Sequence, residues 1–200
     1  MFYTARLIAL WVAANFLGGF LVGFLENNGL QFAATIFLTG AIVGSLQWVV
    51  LRQVNSRMRW WPVATAIGWI MGVVLFASAP GQSLSSPVIA VLSAFGLWDW
   101  FWNSLVTTMV WIVGMAIAQA LLLSRRRHFS GVWLLASLLG GAIQGVVSTG
   151  LCAAFCRDLS PTFAGAIVTG FGWAAYGIVT GAALWSLPQL SISKHSRRHG

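Results

Sequence analysis

Acid is almost missing from this sequence. Of 200 residues only Glu26, Asp99 and Asp158 are acidic. Charged residues of both signs make up 7%, against about 25% in ordinary soluble domains. A soluble fold of this length needs more charge than that to keep its surface in water. Cysteine is scarce too. Cys152 and Cys156 are too few for a disulfide framework, and no Cys/His run has metal-ligand spacing. They read as two small apolar residues, since one helical turn apart they could bridge only with adjusted geometry. The histidines His128, His195 and His199 lie in basic segments, without a ligand-spaced partner. Strict apolar/polar alternation is also lacking, which excludes a membrane β-barrel.

What is present is a membrane composition. The chain is 58% hydrophobic, with 22 Gly and 12 Trp, both frequent in membrane proteins. A helix needs about 20 apolar residues to cross a bilayer core. Six segments qualify, roughly 7–25, 31–51, 60–79, 104–123, 131–151 and 163–187. The first lacks a small-residue cleavage site followed by a polar start, so it counts as part of the fold rather than a signal peptide. Pro87 to Leu97 is apolar but too short to span, and reads as an interfacial or re-entrant helix.

No Asp, Glu, Lys, Arg or His falls in the middle of a span. Proton-coupled pumps and ion-driven carriers usually need such groups inside the membrane. Membrane proteases and transferases need an acid, base, metal or activated nucleophile. The expectation is therefore no catalysis and no cofactor.

Charge placement sets the orientation. Arg6, Arg52, Arg57, Arg59, Arg125, Arg126, Arg127, Lys194, Arg197 and Arg198 all fall on one side of a six-span arrangement. Arg157 and the three acids fall on the other. The positive-inside rule puts both termini in the cytoplasm of a bacterial inner or thylakoid membrane. The basic runs serve as topology anchors that attract anionic headgroups. Split among short loops, they do not form a nucleic-acid face.

Three stretches share the pattern W-x-x-A-[N/T/S]-x-x-G: Trp11 to Gly18, Trp61 to Gly68 and Trp133 to Gly140. Each opens an outward span, and an inward span follows. The inward spans align loosely, with Gly40-x-x-x-Gly44-x-x-Gln47-Trp48 matched to Gly177-x-x-x-Gly181-x-x-Leu184-Trp185. Repetition implies a repeated structural unit. The expected fold is all-α: a polytopic membrane bundle of six transmembrane helices, built as three hairpin repeats with approximate threefold pseudosymmetry. The repeats cover about 5–52, 60–126 and 131–188 of a single domain, 1–190, followed by a basic cytoplasmic tail, 191–200.

Small residues four apart recur on every span: Gly19/Gly23, Gly40/Gly44, Gly68/Gly72, Gly114/Ala118, Gly141/Gly145 and Gly177/Gly181. In lipid, close backbone packing holds helices together, so these are helix-packing candidates. They serve contacts within the chain or a homo-oligomer seam.

The GxxxGxxQWxxLR run from Gly40 to Arg52, with the WxxATxxGW run from Trp61 to Trp69, resembles a group of uncharacterised multi-pass membrane proteins of cyanobacteria and related bacteria. The resemblance is firmest over 40–72. It implies an architecture and a kind of organism, and carries no activity or site residues.

Two sets of residues are candidates for a site. Asn15, Thr65 and Ser137 hold one repeat position, a turn below the three tryptophans, and Gln47, Gln119 and Gln144 are the other strongly polar residues inside spans. They form interhelical hydrogen bonds or a polar pocket for a solute or pigment. Trp98, Asp99, Trp100 and Trp102 lie at the outer start of span 4, and make an interfacial belt or a cation-attracting outer mouth. The connection 80–103 that contains them interrupts the repeat.

The function expected from this pattern is a non-catalytic accessory or scaffold subunit. Its partners are membrane lipids, other membrane subunits or a second copy, and pigments at their interfaces, without nucleic acid. The alternative is a small-solute carrier or substrate-capture component. In size and span number the chain resembles the substrate-binding subunits of energy-coupling-factor vitamin transporters, and Ala5/Ala9/Ala13 resembles their small-residue docking helix. Deep pocket residues would favour the alternative, and a solid core the first reading.

Overall fold

The computed structural model describes residues 2–30, 32–55, 58–96, 98–123 and 127–185. Arg57, Arg125, Arg126 and the tail 191–200, with His195 and His199, lie outside the described residues, as do the side chains of Arg127 and His128. Seven helices follow one another: α1 (Phe2–Asn27), α2 (Phe32–Leu51), α3 (Trp61–Ala77), α4 (Ala79–Ser93), α5 (Asp99–Leu123), α6 (Arg127–Phe155) and α7 (Pro161–Trp185). A short 3-10 turn, Met58–Trp60, leads into α3. All but α4 are long and apolar enough to cross a membrane, the make-up of a multi-pass membrane protein.

Local chemistry sets the helix ends. Gly29 takes a φ of 101°, which only glycine adopts cheaply, and Leu30 N–H returns to the Leu25 carbonyl. That closes α1 and turns the chain into α2. Pro62 sits in the first turn of α3, where its missing N–H costs nothing. Asp99 opens α5, with its carboxylate at the positive end of the helix.

The connection before α5 differs from expectation. The helix expected at 87–97 runs instead from Ala79 to Ser93 and carries Pro87 inside it. It starts early because Pro80 fits a first turn. It stops before 97 because Gly96, at φ 85°, breaks it. Among the described residues α4 packs mainly against α3 and α5, at the side of the main bundle.

The six long helices contact one another in a closed order: α1, α2, α3, α5, α6, α7 and back to α1. Arg6, Arg52 and Arg59 lie at one end, called here the basic end. Glu26, Asp99, Arg157 and Asp158 lie at the other. At that far end Asn27 and Asn28 of α1 donate side-chain hydrogen bonds to the Pro161 and Thr162 carbonyls at the start of α7, tying the first helix to the last.

The seams are as close as backbones allow. A Cβ on Gly68 would lie 2.6 Å from both the Gly114 carbonyl oxygen and the Met115 Cα, and 2.9 Å from the Ala118 Cβ. Gly72 abuts the Trp111 carbonyl, Gly114 abuts that of Gly68, and Gly23 abuts that of Gly165. Gly145 meets Thr108 and Ser104. Three seams also trade large for small. Gly40 of α2 faces Trp69 of α3, Gly141 of α6 faces Ile112 of α5, and Gly19 of α1 faces Trp173 of α7. Each pairing supplies one glycine and one bulky side chain, so similar space is filled three ways.

Gly131 differs from these, because a Cβ added there would meet nothing within 4 Å. Gly68→Ala must push α3 from α5 and is expected to cost about 1–3 kcal/mol. Gly131→Ala removes only backbone freedom and should gain about 0.5–1 kcal/mol. Thermal unfolding in detergent, followed by tryptophan fluorescence, should move the two midpoints in opposite directions.

Candidate functional site

Near the basic end the bundle axis is filled by Trp11, Trp61 and Trp133, all fully buried. Their ring centroids are 6.3, 6.1 and 5.4 Å apart, with interplanar angles of 71°, 74° and 72°. This is a near-equilateral triangle in which each ring meets the other two edge to face, the geometry indoles prefer. Leu7, Val50, Leu51, Ala120, Leu123 and Leu184 pack around it.

A buried indole N–H left without an acceptor is costly, and all three of these find one. Each acceptor lies on the helix before it around the ring, α2, α5 or α7. Trp61 Nε1 donates to Gln47 Oε1 at 2.9 Å, and Trp133 Nε1 to Gln119 Oε1 at 3.2 Å. Trp11 Nε1 donates to Thr180 Oγ1 at 3.0 Å, which closes the circle from last helix to first.

The amides then pass the chain onward. Gln47 Nε2 donates to Asn15 Oδ1 and Gln119 Nε2 to Thr65 Oγ1, both at 2.8 Å. Gln119 Nε2 also reaches Gln47 Oε1 at 3.4 Å. Asn15 and Thr65 each donate to the carbonyl one turn back, of Trp11 and Trp61. On the third side Tyr176 Oη donates to Ser137 Oγ at 3.4 Å, and Thr180 donates to the Tyr176 carbonyl. Asn15, Gln47, Thr65, Gln119, Ser137, Tyr176 and Thr180 are all fully buried.

Five of the six expected polar residues are thus brought together. Gln144 is not. It lies two turns further along α6, nearly buried, with Oε1 unpartnered.

Thr180 and Tyr176 were not among the expected residues, for a reason of register. Gly44 faces Pro62 and Thr65, and Gly177 faces Val12 and Asn15. Gly177 thus meets α1 as Gly44 meets α3, whereas the sequence alignment pairs Gly177 with Gly40, one turn away. Three residues on from Gly44 is Gln47, and three on from Gly177 is Thr180. The Gly-x-x-x-Gly match hid this shift, because α7 carries glycine at several consecutive turns. Above the ring a second aromatic layer of Trp69, Trp173 and Tyr176 packs with Val43, Ile112 and Met115.

The aromatic run at the far end is arranged differently. Trp98 is exposed and stacks on Trp100 at 5.7 Å and 14°. Trp100 leans over Gly150 of α6. Trp102 meets Phe101 edge to face, with its Nε1 buried and unpartnered. Asp99 is exposed in the first turn of α5.

Cys152 and Cys156 are joined by a disulfide, with Cα atoms 4.6 Å apart. They are not two unpaired apolar residues. They sit at the C-terminal end of α6, where the Cys156 N–H still bonds the Cys152 carbonyl. Among the described residues no three His, Cys, Asp or Glu come together as a metal site would require. The chain matches no protein-family model, no curated protein and no solved structure.

The ring yields a test. Gln47→Ala leaves the Trp61 N–H and the Asn15 oxygen unpaired in a dry interior, an expected loss of roughly 2–5 kcal/mol. Thr180→Val, nearly the same shape, removes the Thr180 Oγ1 acceptor of the Trp11 N–H and should cost about 1–3 kcal/mol. Gln53→Ala, on the exposed turn after α2, should stay within about 0.5 kcal/mol of the parent. Detergent unfolding midpoints check that ranking.

Proposed function

We propose that this chain is a non-catalytic integral membrane protein, an accessory or scaffold subunit that packs with lipids, other membrane subunits or pigments. One observation carries the reading: the polar residues around the three tryptophans bind one another and are closed to solvent. A carrier needs polar groups free to meet a solute. Here the amide and hydroxyl groups are committed to tryptophans and to each other, and three indoles fill the axis beside them.

The outside supports the same reading. Val63, Ile67, Met71 and Val74 on α3, and Val132, Leu135, Leu139 and Ile143 on α6, are exposed at helical spacing. Such stripes suit acyl chains or neighbouring apolar helices. We read the chain as three hairpin repeats about an axis along the membrane normal. The near-equilateral tryptophans, the corresponding hydrogen bonds and the large-for-small seams favour this. We place the basic end in the cytoplasm of a bacterial inner or thylakoid membrane, from the arginine excess there. A Cys152–Cys156 bridge at the far end agrees with an oxidising outer compartment.

Purification from native membranes in mild detergent tests the function. Stoichiometric membrane subunits or pigment are expected with the chain. A chain that emerges alone and binds a small solute would overturn the scaffold reading. Orientation has its own test. In intact cells, with Cys152 and Cys156 replaced by Ala, a membrane-impermeant maleimide should label Ser160→Cys and spare Gln53→Cys.

A further inference from the structure

The tryptophan ring satisfies the interior of the basic end, but the rim above it carries charge that the described chain does not answer. Arg6, Arg52 and Arg59 are exposed there, and Glu26, Asp99 and Asp158 all sit at the opposite end. α1 alone, at 26 residues, separates the ends by about 39 Å. That is several times the Debye length of about 8 Å at physiological salt. The acids do not neutralise the rim.

Two of these arginines are held at one corner, between α2 and α3. Asn55 N–H returns to the Leu51 carbonyl and Met58 N–H to the Asn55 carbonyl. Val54 and Met58 pack down onto the core around the tryptophans, so the corner is fixed from below. Arg52 lies over the Trp48 ring, its Cζ 5.1 Å from the centroid. Arg59 lies over Trp60 at 5.6 Å. A guanidinium on an aromatic face is attracted by the ring and keeps its in-plane N–H donors for another partner. Trp60 is itself 57% exposed, and an exposed indole at the end of a spanning helix favours headgroup level.

We propose that this corner is a docking site for the phosphodiester of an anionic phospholipid, in the leaflet that the basic end faces. The proposal rests on the membrane reading above. Arginine matches phosphate with paired, charge-assisted hydrogen bonds. The apolar stripe of α3 argues for a lipid over free phosphate. Val63, Ile67 and Met71 are 45%, 53% and 61% exposed and begin one turn below Trp60. The arginines flank the turn that opens α3 and the stripe follows directly along that helix, so headgroup and acyl chain each have a surface at its start.

The test is lipid selectivity of the whole chain, reconstituted in phosphatidylcholine bilayers with a minor fraction of phosphatidylglycerol. Lipid retained on the protein is measured by native mass spectrometry. Phosphatidylglycerol is expected to be enriched over phosphatidylcholine. Arg52→Gln and Arg59→Gln should each reduce that enrichment about five-fold, the effect of one basic residue near an anionic surface. Arg157→Gln, at the far end, should leave it unchanged. Both variants alter exposed side chains, and an unchanged unfolding midpoint confirms that they fold. Unchanged enrichment in the double variant, or an equal loss in Arg157→Gln, overturns the proposal. Displacement of the lipid by inorganic phosphate at matched concentration also overturns it, in favour of a free-phosphate site. A chain that fails to enter the bilayer overturns the membrane reading and this proposal with it. A chain that inserts without phosphatidylglycerol preference overturns this proposal alone.

Discussion

The fold depends on satisfying three indole N–H groups in a place where water cannot reach them. An unpaired polar group in a dry interior costs on the order of 1–3 kcal/mol. Three large rings at one level of the bundle would otherwise concentrate that cost. The chain answers with Gln47, Gln119 and Thr180, one acceptor from each inward helix. Because each bond joins one hairpin to the next, the helices cannot be rearranged pairwise. The bond from Trp11 to Thr180 spans 169 residues of sequence and makes an open row of hairpins into a closed ring.

Volume obeys the same closure. Six helices around an axis leave a space that side chains must fill. The three tryptophans fill it near the basic end, and Trp69 and Trp173 with Ile112 and Met115 fill the next layer. The bulky residue comes from α3 at one seam, α5 at the next and α7 at the third, each time against a glycine of the facing helix. What corresponds among the seams is the sum of the two side chains, not the residue at either position.

A protein built this way presents its specificity outward. Its interior is committed to holding itself together, and the surfaces left over are apolar stripes, an aromatic run near Asp99 and an arginine rim. α4 adds to this surface, since it lies outside the ring against α3 and α5 with Val88 and Val91 exposed.

The sequence by itself determined the spans, their number and the sides on which charge falls, because hydrocarbon thickness and charge solvation act on short stretches independently of the rest. It also marked Trp11, Trp61 and Trp133 and the polar residues one turn on, since a repeated spacing is readable without any contact. It overran at Pro87 to Leu97, where Gly96 breaks the helix earlier, and it left open whether Cys152 and Cys156 are joined. Only the tertiary structure decided which inward residue meets which tryptophan. Glycine recurs along α7, so its register against α1 was ambiguous by one turn, and Thr180 gave no sign that it takes the place of a glutamine. Gln144 was grouped with Gln47 and Gln119 as a polar residue within a span, yet only those two lie 14 residues before a motif tryptophan, and Gln144 stands outside the ring. Hydrogen-bond partners are set by how helices face one another across the bundle, and that facing is a property of the packed whole rather than of any segment.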